Sequence, residues 1–139
     1  MKPVSVGFTL VELLTVIAII GVLAATVLAS LNDARQQGID ARIKTEMDSI
    51  VKRAAIENTA TLTYDAVCGS NGFTQSPDVA TLVTSINGLA SSTLTCNSDT
   101  DEFAVSVPLG TAHWCVDSLG TRKTIPVALA TSPAELACP

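Results

Sequence analysis

Polar and apolar positions divide the chain into two unlike stretches. Residues 13–31 hold no charged residue, no proline and no Asn or Gln. As a helix rising about 1.5 Å per residue they cover about 28 Å, close to the ~30 Å hydrocarbon layer of a bilayer. The pattern predicts a membrane-spanning helix. One carboxylate, Glu12, stands at its mouth. Lys2, on the N-terminal side, predicts a cytoplasmic N-terminus and an exported C-terminal part. Gly21, Ala24, Ala25 and Ala29 offer small surfaces where a second helix can approach closely.

The helical period continues beyond the apolar run. Leu31, Ala34, Ile39, Ile43, Met47, Ile50, Val51 and Ala54 recur at three- and four-residue spacings. The opposite face carries the acids Asp33, Asp40, Glu46, Asp48 and Glu57 and the bases Arg35, Arg42, Lys44, Lys52 and Arg53. Asp40 with Lys44 and Asp48 with Lys52 are i,i+4 pairs in the favourable order. No proline falls between Pro3 and Pro77. One helix over about residues 8–57 is expected, apolar on all sides over 8–31 and amphipathic over 32–58, with Gly38 as its weak point. The amphipathic part needs a surface to lie on, which the remaining residues, 59–139, must supply.

That head reads in short pieces. Residues 59–71 look like a connecting loop containing Cys68. Ser76-Pro77-Asp78 is a helix start, Val79, Leu82, Val83 and Ile86 give the helix an apolar face, and Asn87-Gly88 reads as its end. Strands are expected over 102–107, 114–117 and 123–125, with turns at Pro108-Leu109-Gly110 and Ser118-Leu119-Gly120. The tail, 128–139, reads as irregular and tied down by Cys138. The fold class is therefore α+β: a long N-terminal helix packed on a small antiparallel sheet.

Composition adds constraints. The chain has 139 residues, 47% of them hydrophobic but only 4% aromatic, and a net charge of −5. From Asp65 onward the acids are Asp65, Asp78, Asp99, Asp101, Glu102, Asp117 and Glu135, against Arg122 and Lys123. Nucleic-acid surfaces need clustered Lys and Arg, so no nucleic-acid partner is expected. The four cysteines, Cys68, Cys96, Cys115 and Cys138, form no Cys-x-x-Cys, and His113 is the single histidine. That excludes the usual zinc sites and, in an exported head, reads as two disulfides. Of the three connectivities, Cys68 with Cys96 and Cys115 with Cys138 are favoured. Each closes a moderate loop, and the second ties the tail to the sheet.

The N-terminal motif carries the functional signal. A secretory signal has small residues after its apolar region; here Gly7 precedes it. A cut after Gly7 removes a positive leader, residues 1–7, and leaves the apolar helix on the mature chain. The plainer reading is an uncleaved anchor with an incidental glycine. Gly7-Phe8-Thr9-Leu10-Val11-Glu12-Leu13-Leu14, followed by an apolar run with Gly21, resembles the N-terminal signature of type IV pilins and of type II secretion pseudopilins. The resemblance covers about the first thirty residues. It implies cleavage between Gly7 and Phe8 by a membrane aspartyl peptidase (the prepilin peptidase and methyltransferase) and N-methylation of Phe8. It also implies storage in the inner membrane, contact with membrane assembly machinery, and polymerisation with other copies into an extracellular filament or a periplasmic pseudopilus. Val6 stands where the family often has Lys or Arg. The apolar run lacks the mid-helix proline of many members, which implies a straighter helix.

Glu12 can be argued on physical grounds alone. At a bilayer centre an ionised carboxylate costs about 2.5–3.5 kcal/mol on insertion scales. No base lies between Phe8 and Asp33 to pair with it. Cleavage creates an ammonium at Phe8, and a neighbouring subunit's ammonium can pair with Glu12. Such a pair acts as a register device, because a slipped subunit leaves both charges alone, at about 3–5 kcal/mol. Phe8, Glu12 and Gly21 are the assembly residues on this reading, and residues 8–29 the packing surface. The plainer role for Glu12 is a carboxylate favoured by the dipole at a helix start.

Other candidates carry less. His113 beside Trp114 lacks a nucleophile motif and reads as a sheet-edge histidine next to a core tryptophan; no enzyme activity and no cofactor are expected. Asn97-Ser98-Asp99-Thr100-Asp101-Glu102 clusters oxygen ligands, but lacks the glycine and distant glutamate of an EF-hand loop. Some pseudopilins hold calcium in a C-terminal loop, which makes Asp99, Asp101 and Glu102 a calcium candidate; the plainer reading is a solvated acidic turn. The expected function is a filament subunit, with a pseudopilin as first alternative and a single-pass anchor displaying a binding head as second.

Overall fold

The computed structural model describes residues 7–90 and 93–139, and for Ala29 the backbone alone. The expected leader, residues 1–6 with Lys2, lies outside the described residues. The chain falls into two compact units that meet at Gly38. In the first, helix α1 (Leu10–Thr61) begins. Its side chains through residue 28, and again from Ser30 to Gly38, are exposed. α1 runs through Gly38 unbroken. It also outlasts the expected end near Glu57 by one turn. Asn58-Thr59-Ala60 holds no breaker, and the Thr59 and Thr61 hydroxyls donate back to the Ala55 and Glu57 carbonyls at 2.8 Å each. The helix stops where Leu62 turns left-handed (φ 59°), its N–H donating to Asn58 O at 2.7 Å.

The second unit is the head, residues 39–139. A four-residue helix, α2 (Asp65–Cys68), replaces the loop expected over 59–71. At four residues it is too short to show a helical period, although Val67 is buried in the core, and Asp65 orders its start. The Asp65 carboxylate accepts from the hydroxyls of Thr63 at 2.7 Å and Ser70 at 2.8 Å and from Asn71 Nδ2 at 2.8 Å. The donors outweigh the penalty of burial and hold the carboxyl below its ordinary range, the Thr63 hydroxyl contributing most. Gly69 ends α2 at φ 82°, where a Cβ would meet Gln75 N at 3.1 Å.

Helix α3 (Pro77–Ala90) starts as expected, with proline at its first position. Ser76 supplies the backbone cap, its carbonyl accepting from Ala80 N–H. Its hydroxyl, however, donates to Glu57 Oε1 of α1 at 2.7 Å, which brings a carboxylate to the positive end of α3. The expected end at Asn87-Gly88 is overrun. The Asn87 side chain accepts from Leu94 N–H at 2.7 Å instead of stopping the helix.

Four antiparallel strands follow in the order β1 (Thr95–Ser98), β2 (Phe103–Leu109), β3 (Ala112–Asp117) and β4 (Arg122–Ile125). The extra strand, β1, is short and polar and so gave no alternating signal. Pro108 lies inside β2, opposite His113, and not in the turn. β1 ends at the Thr95–Ser106 pair, so Pro108 has only β3 beside it, a place where a missing N–H is tolerated. The turn itself is Gly110-Thr111, with Gly110 at φ 63°.

Alternation gives the sheet two buried faces. Phe103, Val105, Val107 and Val116 meet Ile43, Met47, Ile50 and Ala54 of α1 and Val79 and Ile86 of α3 in the main core. On the far face Ala104, Cys115 and Ile125 pack with Leu129 of the tail. The disulfides are Cys68–Cys96, joining α2 to β1, and Cys115–Cys138, joining β3 to the tail. Polar side chains of the far face hold the tail too. Asn97 Nδ2 donates to the carbonyls of Ala130 at 2.8 Å and Glu135 at 2.9 Å. Ser106 Oγ accepts from Leu129 N–H, and Asp117 Oδ2 from Cys138 N–H.

Candidate functional site

Gly7, Phe8 and Thr9 precede α1 in non-helical backbone, so the Gly7-Phe8 bond is outside the helix. Phe8 is 78% exposed. Thr9 is the N-cap: its carbonyl accepts from Leu13 N–H at 3.3 Å. Thr9 and Glu12 form a reciprocal capping box. Glu12 Oε2 accepts from Thr9 N–H at 2.9 Å and from the Thr9 hydroxyl at 2.7 Å, while Thr9 Oγ1 accepts from Glu12 N–H at 3.2 Å. The spacing Thr-x-x-Glu ahead of an apolar run is the sequence signal of this arrangement.

Behind the box the helix exposes Leu13, Leu14, Val16, Ile19, Val22 and Leu23, which point to all sides. The helix is long and apolar enough to cross a membrane. Hydroxyls in it are satisfied locally: Thr15 donates to Glu12 O and Thr26 to Leu23 O. A Cβ placed on Gly21 meets nothing within 4 Å, which leaves its face open to a neighbour.

In the head the other sequence candidates separate. Asp99 Oδ1 accepts from the N–H groups of Asp101 and Glu102, both at 2.9 Å, so this carboxylate orders the turn between β1 and β2. Among the described residues no group of three or more His, Cys, Asp or Glu is arranged to hold a metal ion. His113 is in β3, between β2 and β4, not at a sheet edge. Trp114 is half-buried at the rim of the core with Lys44 Nζ 4.5 Å from its ring centroid, a cation–π contact. Lys44 is thus turned toward the sheet. Asp48 is turned the same way, pairing with Arg122 at 2.6 Å. Arg53 pairs with Asp78 of α3, and Arg42 with Glu46 at 2.9 Å. Tertiary partners outcompete the Asp48–Lys52 pairing expected from the helix alone.

Comparison with protein-family models, curated proteins and solved structures finds no match to this chain.

Proposed function

We propose that this chain is the membrane-stored precursor of a type IV pilin-like filament subunit. The observation that carries the reading is the combination at the N-terminus: a solitary carboxylate in the first turn of a helix exposed and apolar on all sides, directly behind an exposed, non-helical Gly7-Phe8 bond. A lone chain has no use for such a helix in water, and in a bilayer the helix itself offers Glu12 no base between Leu10 and Asp33. Both needs are met in a bundle of copies. There the apolar surfaces of residues 8–29 pack on one another, and each Glu12 meets a neighbour's N-methylated Phe8 ammonium, left by cleavage after Gly7. The disulfide-bonded head stays outside the bundle. Before assembly the subunit spans the inner membrane once, with its N-terminus inside.

The test is mass spectrometry of filaments sheared from the cells that make the protein, with electron microscopy of the same fraction. A subunit beginning at N-methyl-Phe8, in fibres at the cell surface, is the expected result. A chain that still begins at Met1 and stays in the membrane would overturn the reading in favour of a plain anchor; a processed subunit confined to the envelope would make the fibre a pseudopilus.

A further inference from the structure

We propose that Asp117 is a positioning residue for the Cys115–Cys138 disulfide: its carboxylate seats Cys138 beside Cys115 and so sets how strongly that bond resists reduction. The device does not depend on the filament reading and serves a plain anchor equally.

Cys115 and Asp117 stand two residues apart in β3 and so share the far face of the sheet. Both are buried. β3 has a paired strand on either side, which keeps Cys115 in place whether or not its bond is made. Asp117 is fixed as well. Its Oδ1 accepts from Thr121 N–H at 2.8 Å, and its carbonyl accepts from Gly120 N–H at 3.2 Å, both within the β3–β4 turn. The other oxygen, Oδ2, accepts from Cys138 N–H at 3.0 Å. The two cysteines then have their Cα atoms 5.9 Å apart, a separation a disulfide spans without moving the backbone.

Burial makes this contact demanding. An ionised carboxylate only accepts hydrogen bonds, and burying one is costly unless they are made. No Lys or Arg pairs with Asp117 among the described residues. Thr121 stays with the turn, but the Cys138 N–H arrives only with the tail. Lifting the tail strips Oδ2 of its partner, and in the reduced chain the same contact draws Cys138 back. A thiol returned to bonding distance has a high effective concentration at its partner, which favours the disulfide. Cys68–Cys96 is the comparison within the same chain. Its sequence separation is similar, 28 against 23, but the Cys68 N–H donates to a neutral hydroxyl, Ser98 Oγ, at 3.3 Å.

A dithiol such as dithiothreitol breaks the S–S bond, leaves a thiol on each cysteine and becomes its own cyclic disulfide. Both disulfides of the full-length, detergent-solubilised chain are therefore titrated in mixtures of reduced and oxidised dithiothreitol. Free thiols are trapped with a maleimide and assigned by peptide mass spectrometry. Asp117→Asn keeps the size, but its one oxygen serves a single N–H and its amide confronts the other donor. Asp117→Ala removes both acceptors. Ser106→Ala loosens the tail elsewhere, at Leu129. A hydrogen bond to a charged group is worth about tenfold in an equilibrium constant. In both Asp117 variants the Cys115–Cys138 equilibrium should move about tenfold toward the thiols, which is about 30 mV, while Cys68–Cys96 stays where it is. Ser106→Ala should leave both disulfides near their unsubstituted values. An unmoved Cys115–Cys138 in either Asp117 variant overturns the proposal. Equal shifts of the two disulfides also overturn it, because the effect is then one of general stability. A shift of the same size in Ser106→Ala does so too, since any loosening of the tail then suffices. If neither Asp117 variant folds with both bonds closed, Asp117 holds the sheet and not Cys138, and the proposal falls.

Discussion

Asp65 is nearly fully buried yet remains a carboxylate, because every donor around it is neutral and aimed at it. Its folded form holds the proton less readily than the unfolded chain does. The stability it contributes is present above the ordinary carboxylate range and is lost as pH falls through the lowered folded value. Urea melts of the detergent-solubilised chain between about pH 7 and pH 2 should show an acid limb that Asp65→Asn flattens. Glu57 makes a second residue-scale case. It lies in the last turns of α1, where the helix dipole disfavours an acid, but it accepts the Ser76 hydroxyl at the start of α3. Glu57→Ala should cost about 1 kcal/mol, the net worth of one hydrogen bond, measured by the same melts. Neither role was legible in the sequence: the partners of Asp65 and Glu57 lie across turns that only folding closes. Met47 was legible. Its place in the helical stripe predicted burial, it is 0% exposed, and Met47→Ala should cost about 2–5 kcal/mol.

At the scale of elements, what could be read was what periodicity writes. The long helix, the start of α3 and the cores of β2 and β3 carry apolar repeats, and these elements and β4, read from the turn before it, appear near their expected places. The elements that did not show are short. α2 and β1 have four residues each, too few for a hydrophobic period to announce either. Pairing of the cysteines was read from moderate loop lengths and from the tie of the tail to the sheet, and the structure joins Cys68 to Cys96 and Cys115 to Cys138. Opening the second loop, with a sequence separation of 23, by Cys115→Ser with Cys138→Ser should cost about 3 kcal/mol on the chain-entropy account. Hydrogen exchange should report the loss first at Leu129 and Cys138, whose N–H groups are bonded to the sheet, while the amides of the main core stay protected.

On the scale of the molecule, one helix has two unlike parts. The division at Gly38 gives residues 39–61 of α1 to the head, where Ile43, Met47, Ile50 and Ala54 form one wall of the core. A fragment of residues 39–139 is therefore expected to fold with both disulfides and to stay dissolved without detergent, because the exposed apolar helix is gone. The full chain should need detergent or lipid. A fragment begun at residue 59, in contrast, loses that wall and should not fold. Sedimentation and circular dichroism of the three proteins distinguish these outcomes. The head's share of α1 was readable from the stripe of apolar residues. That Glu12 would be held by Thr9 could have been read from their spacing.

The tail is fastened in a particular way. Asn97, Ser106 and Asp117 of the sheet all grip the tail by its main chain, at Ala130, Glu135, Leu129 and Cys138. Apart from Leu129, Glu135 and Cys138, the identities of its side chains play no part in that grip. Thr131, Ser132 and Ala134 face outward. The route of this outer surface is thus written in the sheet beneath it, and its lettering can be rewritten without redrawing the route.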